Sequence, residues 1–350
     1  MFKRSGTGNF AYTSSRVKAK KSKLLKAEDY NKLQMMSVPE ISRYISEAGY
    51  VREMTDLAGA HDGLELVEYA TYGNMAKAFR SILGAASGDC KNMVGAYLKK
   101  WDYLNALTIL RGKRYGLPMD EIRMDLVVAG YLNTEDLEKL MQMANVDDIL
   151  AAFCVMEHIR IPDEVMAVYK AQTSLGPIED FFVISYYREL LASVKGKNDR
   201  PTTVFRNYIR SVIDVKNIET LLKFKIENVD PEVAMRFYID GGREIDEKLM
   251  SQYLATADVA SLLNDLQQLK MYADIKDYVS ADTDVIGAIN ALSHYQSDLA
   301  ESVSALYPLS VLPVVDYMLR KEAEVKNIRM IAYGTNAGLD PAVIKDMLVI

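Results

Sequence analysis

The 350 residues are 49% hydrophobic and 26% charged, the balance of a globular chain, and 19 Gly and 9 Pro beside 18 Met favour helix over strand. A net charge of −6 and a pI of 5.4 argue against nucleic acid as the main partner, because neutralising phosphates takes a dense basic face. The two cysteines, Cys90 and Cys154, sit outside any CxxC pair, which argues against a disulfide framework or a zinc site and for a reducing cytoplasm.

Along the chain, residues 1–9 are polar and glycine-containing and are expected to be a flexible start. A basic segment follows, with Arg16, Lys18, Lys20, Lys21, Lys23 and Lys26. Ala27-Glu28-Asp29 opens a periodic stretch through Tyr30, Leu33 and Met36, and Ser37-Val38-Pro39-Glu40 reads as a helix cap with proline in the first turn. Ile41, Tyr44, Ile45 and Ala48 keep the three-to-four spacing of one apolar helix face. Most of the remainder has that same period, with breaks expected at 84–88, 116–118, 161–162, 176–177, 195–201, 241–242, 280–284 and 334–341. Asp340-Pro341 predicts the start of the last helix, as a cap followed by a residue that needs no donor there. No run reaches the ~18 apolar residues that cross a bilayer. The nearest, 303–315, is broken by Pro308 and Pro313, and the N-terminus lacks a signal-peptide core, so any membrane association is expected to be peripheral.

Three segments share a pattern. Setting Asn105, Asn217 and Asn327 in register, at steps of 112 and 110 residues, also aligns the acids Asp102, Asp214 and Glu324 and the apolar Ile109, Leu221 and Ile331. An acid and an Asn three residues later lie on one helix face, so these six residues are expected to be structural anchors that tie each helix to backbone or to a basic side chain nearby. Tyr50 and Tyr272 each precede an Asn of the pattern by 55 residues, whereas the middle copy has Pro162 there. Residues 27–41, 134–149 and 245–259 resemble one another, so the second half of the third copy is expected at the N-terminus. The resulting units are 50–161, 162–271 and 272–350 with 10–49, and a closed pseudo-threefold arrangement is the simplest reading. Periods this long are domain-sized duplications and not a solenoid.

The thrice-repeated Asn-centred helix resembles the C subunit of the archaeal-type (A-type) rotary ATP synthase, and is similar to the d subunit of vacuolar ATPases. Its most specific part is Glu324-Val325-Lys326-Asn327-Ile328-Arg329-Met330-Ile331-Ala332-Tyr333-Gly334 with Gly338-Leu339, preceded by Pro313-Val314-Val315-Asp316-Tyr317. The likeness runs from about Phe10 to Ile350, and the middle copy departs from it where the tyrosine is missing. It implies an all-α, funnel-like protein of three similar helical domains, one split between the termini. It also implies a non-catalytic rotor subunit without cofactor or metal, present once per complex. Such a subunit sits peripherally on the cytoplasmic face of the cell membrane, joins the central-shaft subunits to the proteolipid ring, and passes torque that couples ATP synthesis or hydrolysis to proton or sodium transport.

No catalytic constellation competes with that reading. Gly112-Lys113 lacks the spacing of a phosphate loop. Gly241-Gly242 reads as a helix-ending turn, Asp147-Asp148 as cap residues, and His61, His158 and His294 are far apart. The alternative is a cytosolic helical scaffold that binds other proteins. The basic segment is the one sharp local feature: Lys18, Lys20, Lys21 and Lys23 are either a solvated helix face or a contact for anionic lipid or acidic partner loops.

Overall fold

Helix starts in this chain are set by short-range side-chain chemistry. Ser37 and Glu40 close a reciprocal box, in which the Ser37 N–H donates to Glu40 Oε2 at 2.8 Å. Asn133, Asp199, Asp246, Asp258 and Asp340 each accept a first-turn N–H with a side-chain oxygen. Proline follows the cap in several helices, where its missing donor costs nothing.

The computed structural model describes residues 8–172, 174–276 and 285–349, and every regular element among them is helical. The break expected at 280–284 and residues 1–7 of the N-terminal start lie outside the described residues. None of the described helices is long and apolar enough to cross a membrane.

The chain divides into two compact units, one made of Met1–Pro162 with Tyr317–Ile350 and the other of Asp163–Asp316. The first opens with α1 (Phe10–Lys21), α2 (Ala27–Leu33), α3 (Val38–Ile45) and α4 (Val51–Leu57). A wider turn at Ser46–Tyr50, with Gly49 at φ 111°, redirects the chain between α3 and α4. It continues through α5 (Gly63–Ala85), α6 (Gly88–Leu98), α7 (Lys100–Tyr115), α8 (Met119–Met124), α9 (Thr134–Gln142) and α10 (Val146–Met156). The second unit holds α11 (Asp163–Gln172), α12 (Gly176–Ala192), α13 (Arg200–Glu227), α14 (Pro231–Ala234), α15 (Glu247–Leu254), α16 (Val259–Leu266), α17 (Tyr272–Ile275) and α18 (Val285–Leu306). The boundary at Asp316 falls within α19 (Leu312–Asn336), which leads to α20 (Pro341–Asp346) in the first unit.

Both ends of the sequence feed one core in the first unit. Leu33, Ile41, Ile45 and Tyr50 from the N-terminal helices pack with Val67 and Ala70 of α5 and with Ile328, Ile331 and Ile344 from the C-terminal ones. Each Leu, Ile or Val among them, fully buried, stabilises by about 1.5–3 kcal/mol. In the second unit α13 packs along α18, and its Ile218, Leu221 and Leu222 join Met250, Leu262, Leu266 and Leu292.

Candidate functional site

The six repeat residues sit on α7, α13 and α19, and all are at most 3% exposed. Buried polar groups at this depth need partners, since an unmet one costs about 1–3 kcal/mol. The partners are backbone. Asn105 donates from Nδ2 to the Val127 carbonyl at 2.8 Å and accepts the Val127 N–H at 2.9 Å. Asn217 makes the same pair with Ile239, at 2.9 and 3.0 Å, and Asn327 with Val349, at 2.8 Å both ways. In all three copies the clasped residue lies 22 positions after the Asn.

Between the Asn and its strap the chain takes the same path each time. Gly116, Asn228 and Gly338 adopt the left-handed conformation, at φ 68°, 50° and 70°, just past their helices. The following N–H of Leu117, Val229 or Leu339 returns to the carbonyl of Gly112, Phe224 or Gly334, at 2.9, 3.1 and 2.9 Å. The short helices α8, α14 and α20 follow. A Cβ on Gly112 would stand 2.4 Å from Ile122, and one on Gly334 2.6 Å from Ile344. The middle copy reverses the order of sizes, with Phe224 and Ala234 at these two positions in one core.

The acids hold the next turn of chain. Asp102 accepts the N–H groups of Tyr131 and Leu132 at 2.8 and 3.0 Å, and Asp214 those of Arg243, Glu244 and Ile245 at 2.8, 2.9 and 3.1 Å. Burial pushes the Asp102 carboxyl up to about 7 and raises that of Asp214, and the backbone donors oppose this in both. Gly130 and Gly242 make the approach possible: a Cβ on either would lie 2.1 or 2.2 Å from the carboxylate it faces. Thus no helix ends at Gly241-Gly242; Tyr238 already caps the preceding 3-10 turn, and Gly242 is there to let backbone reach Asp214.

Glu324 performs this task across the sequence. Its Oε2 accepts the N–H of Leu25 at 2.6 Å, and Leu25 stands just before the cap of α2 as Leu132 and Ile245 stand just before the caps of α9 and α15. Glutamate is one methylene longer than aspartate, and the three residues before Leu25 are Ser22, Lys23 and Leu24, with no glycine. The other carboxylate oxygen accepts from Tyr50 Oη at 2.6 Å and from Lys321 Nζ at 2.7 Å, while Lys321 also donates to Tyr50 Oη at 2.8 Å. Burial raises the Tyr50 phenol well above its ordinary value, helped by Glu324, and lowers Lys321 against the pull of that carboxylate. Tyr50 therefore serves the Glu324 copy, while Tyr272, half-buried, opens α17.

Sequence reasoning missed Lys321, although Lys99 stands in the same register six residues before Asn105, where the middle copy has Ser211, and it missed Arg329. The latter donates to Glu68 at 2.8 Å and Asp125 at 3.2 Å and stacks on the Tyr72 ring. The glycines at 130 and 242, each 28 positions after an acid of the pattern, were the available signal for the straps. Lys18, Lys20 and Lys21 are in the last turn of α1 and Lys23 is in the turn after it, with Lys20 close enough to Lys321 of the Glu324 clasp to feel its charge.

One consequence is testable at Gly242. Gly242→Ala is expected to lower stability by about 1–3 kcal/mol through overpacking against Asp214. Gly176→Ala, whose Cβ would meet only Ser174 Oγ at 3.5 Å, serves as the control in urea denaturation.

These features define an all-helical protein whose repeated polar residues bind its own backbone. The chain belongs to the ATP synthase (C/AC39) subunit family, whose model matches residues 13–347. It is 32% identical over 350 residues to the A-type ATP synthase C subunit of Methanococcoides burtonii, covering 99% of this chain and 96% of the relative. The C subunits of the A-type ATP synthases of Haloferax volcanii and Archaeoglobus fulgidus are each 30% identical over 351 residues, covering 99% and 97% of this chain and 99% and 96% of the relatives.

Proposed function

We propose that this chain is a non-catalytic central-stalk subunit of an A-type ATP synthase, joining the central shaft to the membrane proteolipid ring. In this role it passes torque between ATP chemistry and the movement of protons or sodium, one copy per complex, on the cytoplasmic face of the membrane. The observation that carries the reading is the full-length similarity to relatives named as the C subunit of A-type ATP synthases. The clasps support it physically. A torque-bearing connector needs stiffness more than reactive groups, and the repeated acids and amides are engaged by the chain's own backbone. The division into helical units at 50–161, 162–271 and 272–350 with 10–49 belongs to the same reading, and the recurrence of one hydrogen-bond pattern in each supports it.

Reconstitution with purified shaft subunits and proteolipid ring tests the proposal. The expected result is binding to both, and loss of coupling between ATP hydrolysis and ion pumping when the chain is left out. Binding to neither, with ATP-driven pumping intact in its absence, would overturn it.

A further inference from the structure

We propose that α1 and the turn after it form a cationic strip that docks an acidic polypeptide surface of a neighbouring subunit. This rests on the stalk role proposed for the chain. The first 27 residues contain eight Lys and Arg and no Asp or Glu, in a chain whose net charge is −6. Among the described residues Arg16, Lys18, Lys20 and Lys23 have no carboxylate partner. Arg16 donates only to the neutral Tyr12 and Ser81 hydroxyls. Lys20 is half-buried, and its ammonium is disfavoured first by that burial and then by Arg16, Lys321 and Lys23. At these four positions positive charge is thus gathered with no carboxylate beside it among the described residues, which is the condition under which an acidic partner gains most. Lysines in a last helical turn also favour the helix dipole. That role does not account for Arg16 in the middle of α1, for Lys23 beyond its end, or for the absence of any acid.

The strip is held in place. Asn9 donates to the Ala85 carbonyl at 2.8 Å and accepts the Ser87 N–H at 2.8 Å, and Gly8 packs so closely that a Cβ would stand 2.4 Å from the Cys90 nitrogen. At the other end Leu25 is bound to Glu324. A protein is favoured over a bilayer as the occupant because the apolar residues of α1, Phe10 and Val17, are turned inward and buried. Tyr12 is the one large apolar side chain that α1 exposes, too little for insertion among acyl chains.

The test compares wild type with a variant carrying Lys18→Glu, Lys20→Glu and Lys23→Glu, and with a milder variant changed only at the exposed Lys18 and Lys23. Each is titrated against detergent-purified proteolipid ring, against the shaft subunits, and against phosphatidylcholine vesicles containing about one-third phosphatidylglycerol. Circular dichroism establishes folding, and the milder variant decides the matter if the triple change unfolds. The expected result is at least about tenfold weaker binding of the charge-reversed chain to ring or shaft, wild-type affinity that falls as salt rises, and no vesicle binding. Unchanged binding of the variants to both protein partners, or vesicle capture as strong as ring capture, overturns the strip while leaving the stalk role intact. Failure of wild type to bind ring or shaft overturns both.

Discussion

Lys321→Met is expected to destabilise the first unit by about 3–5 kcal/mol, because it strips the counter-charge from a carboxylate that stays buried. Glu324 is 3% exposed and would keep only the Leu25 N–H and the Tyr50 hydroxyl as partners. The combined Lys321→Met, Glu324→Gln chain should recover most of the loss. A glutamine carbonyl can still accept from Leu25 while its amide N–H donates to the Tyr50 hydroxyl oxygen, and no unpaired charge is left in the core. Urea denaturation of wild type, both single variants and the double variant closes the cycle. Additive effects of the two changes would show that the pair is not coupled. Glu324→Ala alone carries a further consequence, since it frees the Leu25 N–H and with it the link between α19 and the start of α2. Hydrogen exchange should then rise first in the N-terminal helices.

The second large effect is at the amide clasps. Asn217→Ala leaves both the N–H and the carbonyl of Ile239 without their partner, at about 1–3 kcal/mol for each orphaned group. Ile239 is 3% exposed, so water cannot easily stand in. Asn105→Ala should cost as much, because Val127 is just as deeply buried. Asn327→Ala should cost less, since its partner Val349 is half-buried and its bonds can be replaced by solvent. The order of urea midpoints across the three variants is the measurement. Equal losses at all three positions would mean that the strap hydrogen bonds do not govern the cost.

Much of the local architecture is legible in the sequence. The box at Ser37 and Glu40, the Asp340-Pro341 start and the apolar period of α3 depend on residues within one or two turns of each other, and there sequence spacing is spatial spacing. The register of Asn105, Asn217 and Asn327 is visible for a similar reason, because the acid and the amide sit on the same helix. Their partners are not visible. Val127, Ile239 and Val349 are loop residues used through backbone atoms, and a backbone donor leaves no mark on side-chain identity. The only trace is indirect, in Gly130 and Gly242, where a side chain would occupy the space of a carboxylate oxygen. A glycine pair after an apolar stretch more often ends a helix, and nothing in the sequence around Gly242 signals the carboxylate that approaches it.

By itself, then, the sequence determined that the chain is helical, where helices such as those at Val38 and Pro341 begin, and that an acid and an amide recur at matching places on three helices. Local hydrogen bonding and the 3.6-residue period are sufficient for that. Only the tertiary structure decided that Leu25 completes the Glu324 copy, that Tyr50 serves this glutamate and not the nearer Asp102, and that Lys321 is buried beside both. Those pairings span 299, 274 and 271 residues. They are settled by which apolar faces share a core, here the N-terminal helices packed with the C-terminal ones, and only then by which polar groups that packing leaves within reach of each other.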